Sequence, residues 1–91
     1  MAKIDLTTRM IKITDCLPGK KKMDLFDIRC KGLMIEIRST GGKTYYLRYK
    51  NARGKTRQYR LADARDISLS QARYLADKIR NEIAMGIDPC E

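Results

Sequence analysis

The sequence has no histidine and no tryptophan, and it contains only two prolines and three cysteines in 91 residues. Without histidine, the chain lacks the usual general base of neutral pH and the commonest nitrogen ligand for metals. The cysteines, Cys16, Cys30 and Cys90, form no CxxC pair and are odd in number, which argues against a disulfide framework or a zinc site. We therefore expect free thiols, no metal and no cofactor.

Long apolar runs are also missing. No stretch approaches the roughly 18 apolar residues that a transmembrane helix needs, and residues 1–5 contain no apolar core of a signal peptide. Hydrophobic residues make up 43% of the chain and charged residues 34%, which is too apolar for a disordered tail. A chain of 91 residues can form one modest core, so we expect a single folded, intracellular domain over residues 1–91.

Acidic residues are scarce relative to basic ones. Eleven Asp and Glu stand against twenty Lys and Arg, which gives a net charge of +9. Residues 33–62 hold eight bases and one acid, residues 1–22 hold six bases and two acids, and residues 63–91 carry a net charge of −2. Such a concentrated excess on a small domain indicates a polyanionic partner, with nucleic acid first and an anionic membrane surface second.

The middle of the chain alternates between polar and apolar residues, as β-strands do. The pattern predicts strands at residues 33–38, 44–50 and 56–61, with turns between them and a shorter strand around residues 23–28. One face of this antiparallel sheet is apolar: Leu33, Ile35, Ile37, Tyr45, Leu47, Tyr49, Tyr59 and Leu61. The other face carries Arg38, Tyr46, Arg48, Lys50, Gln58 and Arg60, with Glu36 as its single acid. Because a solvated sheet face ordinarily mixes both signs of charge, this asymmetry is the strongest physical signal in the sequence.

A helix is predicted over residues 68–85 to cover the apolar face of the sheet. Its apolar positions recur at helical spacing: Leu69, Ala72, Leu75, Ala76, Ile79 and Ile83. Ser68 and Gln71 fit a capping box at its start, and Gly86 fits a left-handed cap at its end. The remaining helix face mixes both signs of charge and is expected to be solvated: Arg73, Asp77, Lys78, Arg80, Asn81 and Glu82. The predicted fold is α+β, a three- to four-stranded antiparallel sheet packed on one C-terminal helix.

Residues 1–22 are predicted to form a basic N-terminal arm ahead of the sheet, which is expected to span residues 23–62. Within the arm, residues 7–12 fit one helical turn begun by a threonine cap. The run Lys20, Lys21 and Lys22 is typical of a solvated loop, although beside a basic sheet it could equally clamp phosphates.

Catalysis has little support in these residues. No Ser or Cys has an evident base partner, and no glycine-rich phosphate loop precedes a helix. Three of the tyrosines fall on the apolar face, where core packing explains them better than nucleophilic chemistry. Asp63 and Asp66 flank Arg65, which fits a surface salt-bridge cluster better than an acid/base pair.

Nucleic-acid binding has more support. A two- or three-stranded antiparallel ribbon fits the major groove of B-DNA, where Arg pairs with guanine and Gln with adenine. The candidates for base contact are Tyr46, Arg48, Gln58 and Arg60. The candidates for phosphate contact are Lys43, Lys50, Arg53, Lys55 and Arg57, and the run Lys20, Lys21 and Lys22 could join them. Arg38 is a further candidate for DNA contact, assigned to neither group. A one-residue error in register would exchange the two faces, so the division between base and phosphate contacts stays open.

Other roles also stay open. Exposed aromatics in a basic sheet form stacking platforms for RNA or single strands, but only Tyr46 is predicted to be exposed on the basic face. The acidic C-terminal third and the mixed helix face could instead dock another protein. Membrane binding ranks last, because the bases lie on strands rather than along an amphipathic helix.

Several short motifs follow one another along the chain in a specific order. They are Leu6-Thr7, a lysine-rich segment ahead of Leu25-Phe26-Asp27, Gly32-Leu33-x-Ile35-x-Ile37, Gly42-Lys43-Thr44-Tyr45, Leu47-Arg48-Tyr49, Gly54-Lys55, Ser68-Leu69-x-x-Ala72-Arg73 and Gly86-x-Asp88-Pro89. In this order and spacing the sequence resembles the N-terminal arm-type DNA-binding domain of phage and genomic-island integrases, which are tyrosine recombinases. It departs from that family ahead of the helix, where a glycine and then Tyr-Pro are usual and this chain has Ala62, Ala64 and Arg65.

The resemblance implies a small antiparallel sheet on one C-terminal helix that binds double-stranded DNA at arm-type sites, with the sheet in the major groove. It implies that the catalytic tyrosine and its partners lie in a separate C-terminal domain. Because the sequence ends at Glu91, we expect a non-catalytic fragment of a tyrosine recombinase, in which none of the five tyrosines is the nucleophile. The isolated domain is expected to be a monomer. The implied setting is integration or excision of a mobile element in the cytoplasm of a bacterial host, at the nucleoid, with other recombinase protomers or accessory factors as further partners.

Overall fold

The computed structural model describes residues 2–13, 18–51 and 53–87, so Cys16 and Cys90 lie outside the described residues. Within these ranges, five strands form one sheet and two helices complete the fold. The elements in chain order are β1 (Ala2–Ile4), α1 (Thr8–Ile13), β2 (Lys22–Asp27), β3 (Leu33–Arg38), β4 (Lys43–Lys50), β5 (Thr56–Asp63) and α2 (Leu69–Ala84). The strands keep chain order across the sheet, with β1 parallel to β2 and the other neighbours antiparallel. The predicted α+β fold is confirmed, with β1 as an additional strand.

The strands form where the alternation predicts them, with small extensions at their ends. β3 covers residues 33–38 as predicted. β2 begins one residue earlier than predicted, at Lys22, and β5 continues two residues further, to Asp63. Both extensions add charged residues to the sheet.

The extension of β5 depends on a bulge in its pairing with β4. The register steps by one residue between Tyr45 and Tyr46, so Leu61 has no cross-strand partner of its own. A bulge turns the residues beyond it, and here it brings Asp63 opposite Thr44. Asp63 is therefore part of the sheet and not of the following loop.

The core lies between the sheet and α2. Its most deeply buried members are Leu33, Ile35, Ile37, Tyr45 and Leu47 from the sheet and Leu69, Ala72 and Ala76 from α2. The apolar spacing predicted both sets, because period two places alternate strand residues on one face and period 3.6 gives the helix one apolar stripe. The small side chains of Ala72 and Ala76 let α2 approach the sheet closely.

α2 begins and ends as predicted. The Ser68 hydroxyl accepts from the Gln71 N–H at 3.2 Å, and the Gln71 side-chain oxygen accepts from the Ser68 N–H at 2.8 Å, which confirms the capping box. Gly86 follows the helix with a φ of +94°, in the left-handed region that glycine adopts without strain. Across the described ranges, neither helix combines the length and the apolar character needed to cross a membrane.

The N-terminal arm is part of the folded domain. α1 contains the predicted helical turn, and its threonine cap is confirmed because Thr7 Oγ1 accepts from the Met10 N–H at 3.1 Å. Leu6 and Ile11 are buried in the same core as the sheet and α2. β1 was not predicted, since three residues are too few to show a strand period.

Arg73 is tied to the interior, so the prediction that it lies on a solvated helix face is wrong. Its Nε donates to Asp27 Oδ2 at 2.8 Å, and its Nη2 donates to the Leu6 carbonyl at 3.0 Å. The Asp27 side chain is fully buried, and the Arg73 side chain is 26% exposed. The hydrogen bond to Asp27 raises the pKa of Arg73 above its ordinary value. This ion pair fastens the arm, β2 and α2 to one another.

Cys30, which lies within the described residues, is buried and free, as predicted. Burial first, and then the negative charge of Asp77, raise the pKa of its thiol to about 11. A thiol that stays protonated at neutral pH is a poor nucleophile. Cys30 is therefore a core residue and not a reactive site.

Candidate nucleic-acid interface

The face of the sheet turned away from α2, which we call the outer face, holds most of the predicted DNA-binding residues. Cross-strand register fixes its members, because residues opposite one another on neighbouring strands point to the same side. They are Lys22, Asp24 and Phe26 on β2, Met34, Glu36 and Arg38 on β3, Thr44, Tyr46, Arg48 and Lys50 on β4, and Thr56, Gln58, Arg60 and Asp63 on β5. The six residues predicted to form the basic face all lie on it.

The outer face has three acids where the sequence pattern predicted one. Besides Glu36, β2 contributes Asp24, and the bulge in β5 adds Asp63. The three carboxylates lie in one row across the sheet, with Thr44 between Glu36 and Asp63. The prediction of a single acid is wrong because it left β2 out of the face and ended β5 before the bulge.

Basic side chains on the same part of the face are paired with two of these acids, Glu36 and Asp63. Arg38 Nη1 donates to Glu36 Oε1 at 3.2 Å, and Lys22 Nζ lies 3.5 Å from Glu36 Oε2. Arg60 Nη2 donates to Asp63 Oδ1 at 3.0 Å. The set holds three bases and three acids, and we call it the balanced half of the outer face: Lys22, Asp24, Glu36, Arg38, Arg60 and Asp63.

Thr44 connects two of these acid–base pairs. Its hydroxyl accepts from Arg38 Nη1 at 2.9 Å and donates to Asp63 Oδ1 at 3.1 Å. That bond, followed by the positive charge of Arg60, holds the pKa of Asp63 below its ordinary value. Asp63 therefore stays ionised at neutral pH and keeps the charge of Arg60 compensated.

The hairpin that joins β4 to β5 has a different charge. Residues 48–58, which we call the basic hairpin, contain no acid and five bases: Arg48, Lys50, Arg53, Lys55 and Arg57. The Asn51 side-chain oxygen accepts from the backbone N–H groups of Arg53 at 2.9 Å and Lys55 at 3.0 Å, which shapes the turn. Arg57 stands opposite Tyr49 on the inner side, yet it is exposed at the β5 edge of the sheet.

Arg48 is the half-buried member of the basic hairpin. Its guanidinium carbon lies 5.2 Å from the centroid of the Phe26 ring. Its Nη2 donates to Gln58 Oε1 at 3.4 Å, and its backbone N–H donates to the Gly32 carbonyl at 2.8 Å. Arg48 is thus held by β2, by the β2–β3 turn and by β5 at the same time.

The predicted lysines outside the basic hairpin lie at other places. Residues 20–22 are exposed beside the β3–β4 turn, where the Ser39 N–H donates to the Lys21 carbonyl at 2.8 Å. Lys43 lies on the inner side of the sheet, and its Nζ donates to the carbonyl of Ile11 at the arm. The structure therefore separates residues 20–22 from the basic hairpin by the length of the sheet, and it does not bring Lys43 to the outer face.

Besides Asp63, the sequence pattern missed Asp24 and Phe26 on this face. The signal was present, because alternation along β2 puts Met23 and Leu25 with the core and Asp24 and Phe26 on the opposite side. Continuing the two-residue period from β3 into β2 would have assigned both residues to the outer face. The alternation does not predict the contact between the Phe26 ring and Arg48.

Comparison with known proteins adds the family. No curated protein matches the sequence. The sequence does match the arm DNA-binding domain family over residues 6–91, a range that includes the balanced half of the outer face and the basic hairpin. This match supports DNA binding by the chain as an integrase-type domain. The chain belongs to the arm DNA-binding domain family, which is typical of integrases.

Proposed function

We propose that this domain binds double-stranded DNA at arm-type sites, with the outer face of β4 and β5 in the major groove. In this proposal it is the N-terminal domain of a tyrosine recombinase that integrates or excises a mobile element at the nucleoid of a bacterial host. Catalysis then belongs to another domain of that recombinase. The observation that carries the proposal is the basic hairpin, which combines five bases with no acid in eleven residues.

The dimensions of the sheet favour entry by the β4–β5 hairpin. Neighbouring strands lie about 4.8 Å apart, so five strands span about 19 Å between the first and the last. The major groove is about 12 Å wide and admits a two-stranded ribbon. Because β5 is the last strand of the sheet, the hairpin can enter the groove while β1 and β2 remain outside it.

Position on the hairpin suggests the role of each side chain. Arg48 and Gln58 stand opposite each other on the outer face, and we assign them to base edges, with Arg48 donating to guanine and Gln58 pairing with adenine. Tyr46 and Arg60 form the next pair on the face and are further candidates for base contact. We assign the bases around the turn to phosphates: Lys50, Arg53, Lys55 and Arg57. Residues 20–22, with Arg38, are kept as candidates for phosphates further along the duplex.

Selection from a library of random duplexes, followed by NMR titration of the isotope-labelled domain, tests the proposal. We expect the selected duplex to bind more tightly than a scrambled one and to shift resonances of residues 44–60 more than those of α2. Affinity should fall steeply from about 50 mM to about 200 mM salt, because each neutralised phosphate releases counterions. Shifts centred on α2, or equal affinity for both duplexes, would contradict the proposal.

A matched pair of variants locates the contact. Lys50→Gln and Lys78→Gln remove the same charge, one from the basic hairpin and one from the exposed side of α2. We expect Lys50→Gln to lower the slope of log affinity against log salt by about 0.9 and Lys78→Gln to leave it unchanged. An equal effect of both changes would mean that only net charge matters and that the hairpin has no special role.

Competition with single-stranded DNA and with RNA of the selected sequence separates the proposal from stacking-based recognition. Phe26 is buried and Tyr46 is half-buried on the outer face, so little aromatic surface is offered to unpaired bases. We expect the single strands to compete poorly with the selected duplex. If they compete equally well, recognition of unpaired bases becomes the better description of the function.

A further inference from the structure

We propose that Phe26 is a positioning residue that holds the Arg48 guanidinium in place for contact with a DNA base. The inference rests on the proposed function, because it concerns how the arginine assigned to a base edge is presented to the groove. It follows from the contacts that three segments make with Arg48: the Phe26 ring on β2, the Gly32 carbonyl in the β2–β3 turn and the Gln58 amide on β5.

Phe26 lies on the outer face of the sheet, yet it is only 9% exposed. Its cross-strand neighbour Met34 is fully buried on the same face. An apolar pair on the side away from the core requires a cover that excludes water. Arg48 supplies part of this cover, with its guanidinium carbon 5.2 Å from the ring centroid, within the range of cation–π attraction.

The backbone of Arg48 is fixed by a hydrogen bond to the β2–β3 turn. Its N–H donates to the Gly32 carbonyl at 2.8 Å. Gly32 has a φ of +85°, and a Cβ atom at this position would lie 2.5 Å from the Arg48 carbonyl oxygen. Glycine permits both the positive φ and this approach. The starting point of the Arg48 side chain is therefore set by the β2–β3 turn, and its end is set by the Phe26 ring.

The kind of contact matters for recognition. A cation–π contact uses the flat face of the guanidinium and does not itself use the N–H donors that a guanine requires. Arg48 Nη2 donates to the neutral amide of Gln58, whereas the N–H groups of Arg38 and Arg60 donate to the carboxylates of Glu36 and Asp63. Phe26 can therefore orient Arg48 before DNA arrives without competing for the donors that would meet the base.

The first test needs no DNA. We expect the Nε–H signal of Arg48 to show a ring-current shift from Phe26, which Phe26→Leu removes and Phe26→Tyr retains. Met34→Leu changes a neighbouring apolar residue of similar volume and should leave the signal unaltered. Amide spectra establish that each variant is folded, and Phe26→Met is a second ring-free variant where Phe26→Leu does not fold. An Arg48 signal that is the same with and without the ring would overturn the proposal.

The second test is a double-mutant cycle on the preference for the selected duplex over a scrambled one. Arg48→Ala should reduce this preference by about 5- to 100-fold, as expected for a lost bidentate contact. Phe26→Leu should reduce it by roughly 2- to 30-fold, the range of a cation–π contact. In the Arg48→Ala background, Phe26→Leu should cause no further loss of this preference, because the guanidinium that Phe26 positions is absent.

The outcomes separate the inference from the function on which it rests. Additive losses, or a Phe26→Leu variant with the full preference of the parent, would mean that Phe26 does not act through Arg48, while DNA binding by the hairpin would stand. A parent domain that prefers no duplex over its scrambled version would remove the proposed function and the positioning role together. Coupled losses, with Phe26→Tyr close to the parent, are the result we expect.

Discussion

The balanced half and the basic hairpin place similar side chains in opposite electrostatic settings. In the balanced half, the N–H groups of Arg38 and Arg60 donate to Glu36 and Asp63. In the basic hairpin, residues 48–58 contain no acid, and Arg48 lies against an aromatic ring and a neutral amide. The arginines of the balanced half therefore join neighbouring strands and residues of the sheet, whereas the basic hairpin concentrates positive charge at one end of it.

Because some bases are paired with acids, a count of bases overstates the positive charge that DNA would meet. Residues 33–62 contain eight bases. Arg38 and Arg60 are paired with acids, and Lys43 lies on the inner side of the sheet. The remaining five bases are those of the basic hairpin. Because fields from closely spaced like charges add, the positive potential is expected to be strongest at this turn.

Arg73 has a third kind of environment, the interior of the domain, and we expect the greatest loss of stability when its ion pair is broken there. Asp27→Ala leaves Arg73 without the buried carboxylate that it pairs with. We expect the free energy of unfolding to fall by about 3 kcal/mol, the lower end for a broken buried pair, because Arg73 is partly exposed. Urea unfolding followed by circular dichroism measures the change.

The matched control is an exposed ion pair of the same kind. Asp5 accepts from Arg29 at 2.7 Å, and both side chains are exposed. Asp5 also lies 3.8 Å from Arg73 Nη2, so the control variant is Arg29→Ala, which leaves Asp5 in place. It should cost less than about 1 kcal/mol, as surface ion pairs generally do. Equal losses for the two variants would contradict the view that the Arg73 pair fastens the arm and α2 to the sheet.

The next effect tests the basic hairpin directly. The triple variant Arg53→Gln, Lys55→Gln and Arg57→Gln should weaken duplex binding on the order of 100-fold near 0.1 M salt, with a salt slope lower by about 2.7, if each residue neutralises one phosphate. Fluorescence anisotropy at several salt concentrations measures both quantities. The same neutralisation of Lys20, Lys21 and Lys22 removes equal charge from the other end of the sheet and should weaken binding less. Equal losses at the two ends would abolish the distinction drawn between them.

In the balanced half, we expect a substitution to raise the affinity for duplex DNA, and by a smaller factor. Asp63→Asn removes one acid from the outer face and leaves Arg60 without a charged partner there. We expect affinity for selected and scrambled duplexes to rise by roughly 3- to 5-fold each, because a long-range attraction increases without a new base contact. Asp66→Asn, in the adjacent loop, is the control for net charge alone. A gain of the same size in both variants would show that the position of Asp63 on the face is irrelevant.

The pattern of residues was sufficient to predict the antiparallel sheet, α2 and the residues of the basic face. Each rests on a local period or a local cap, such as Ser68 with Gln71, which a short window of sequence contains. Asp63 was missed because a single-residue bulge before it interrupts the period on which the assignment depends. Asp24 was missed because the assignment of the face did not extend to β2. The pairing of Asp27 with Arg73 was missed for another reason. These residues lie 46 positions apart, and helical spacing alone cannot tell a charged residue at the edge of the apolar stripe from a solvated one.

The smallest expected effect concerns the protonation of Asp63. The Thr44 hydroxyl and then Arg60 hold its pKa below the ordinary 3.8. A carboxyl with a lower pKa in the folded state than in the unfolded chain stabilises the fold above the unfolded pKa, and that contribution is lost as pH falls through the folded pKa. We therefore expect Asp63→Asn to flatten the decline of unfolding free energy only below about pH 4. Carboxyl ¹³C titration of the parent and of Thr44→Val, which removes the hydroxyl at similar volume, should show the pKa of Asp63 moving up in the variant. If Asp63 of the parent already titrates at 3.8 or above, its neighbours do not stabilise its charge. The balanced half and the basic hairpin would then differ in their numbers of acids and bases, and not in how those charges are stabilised.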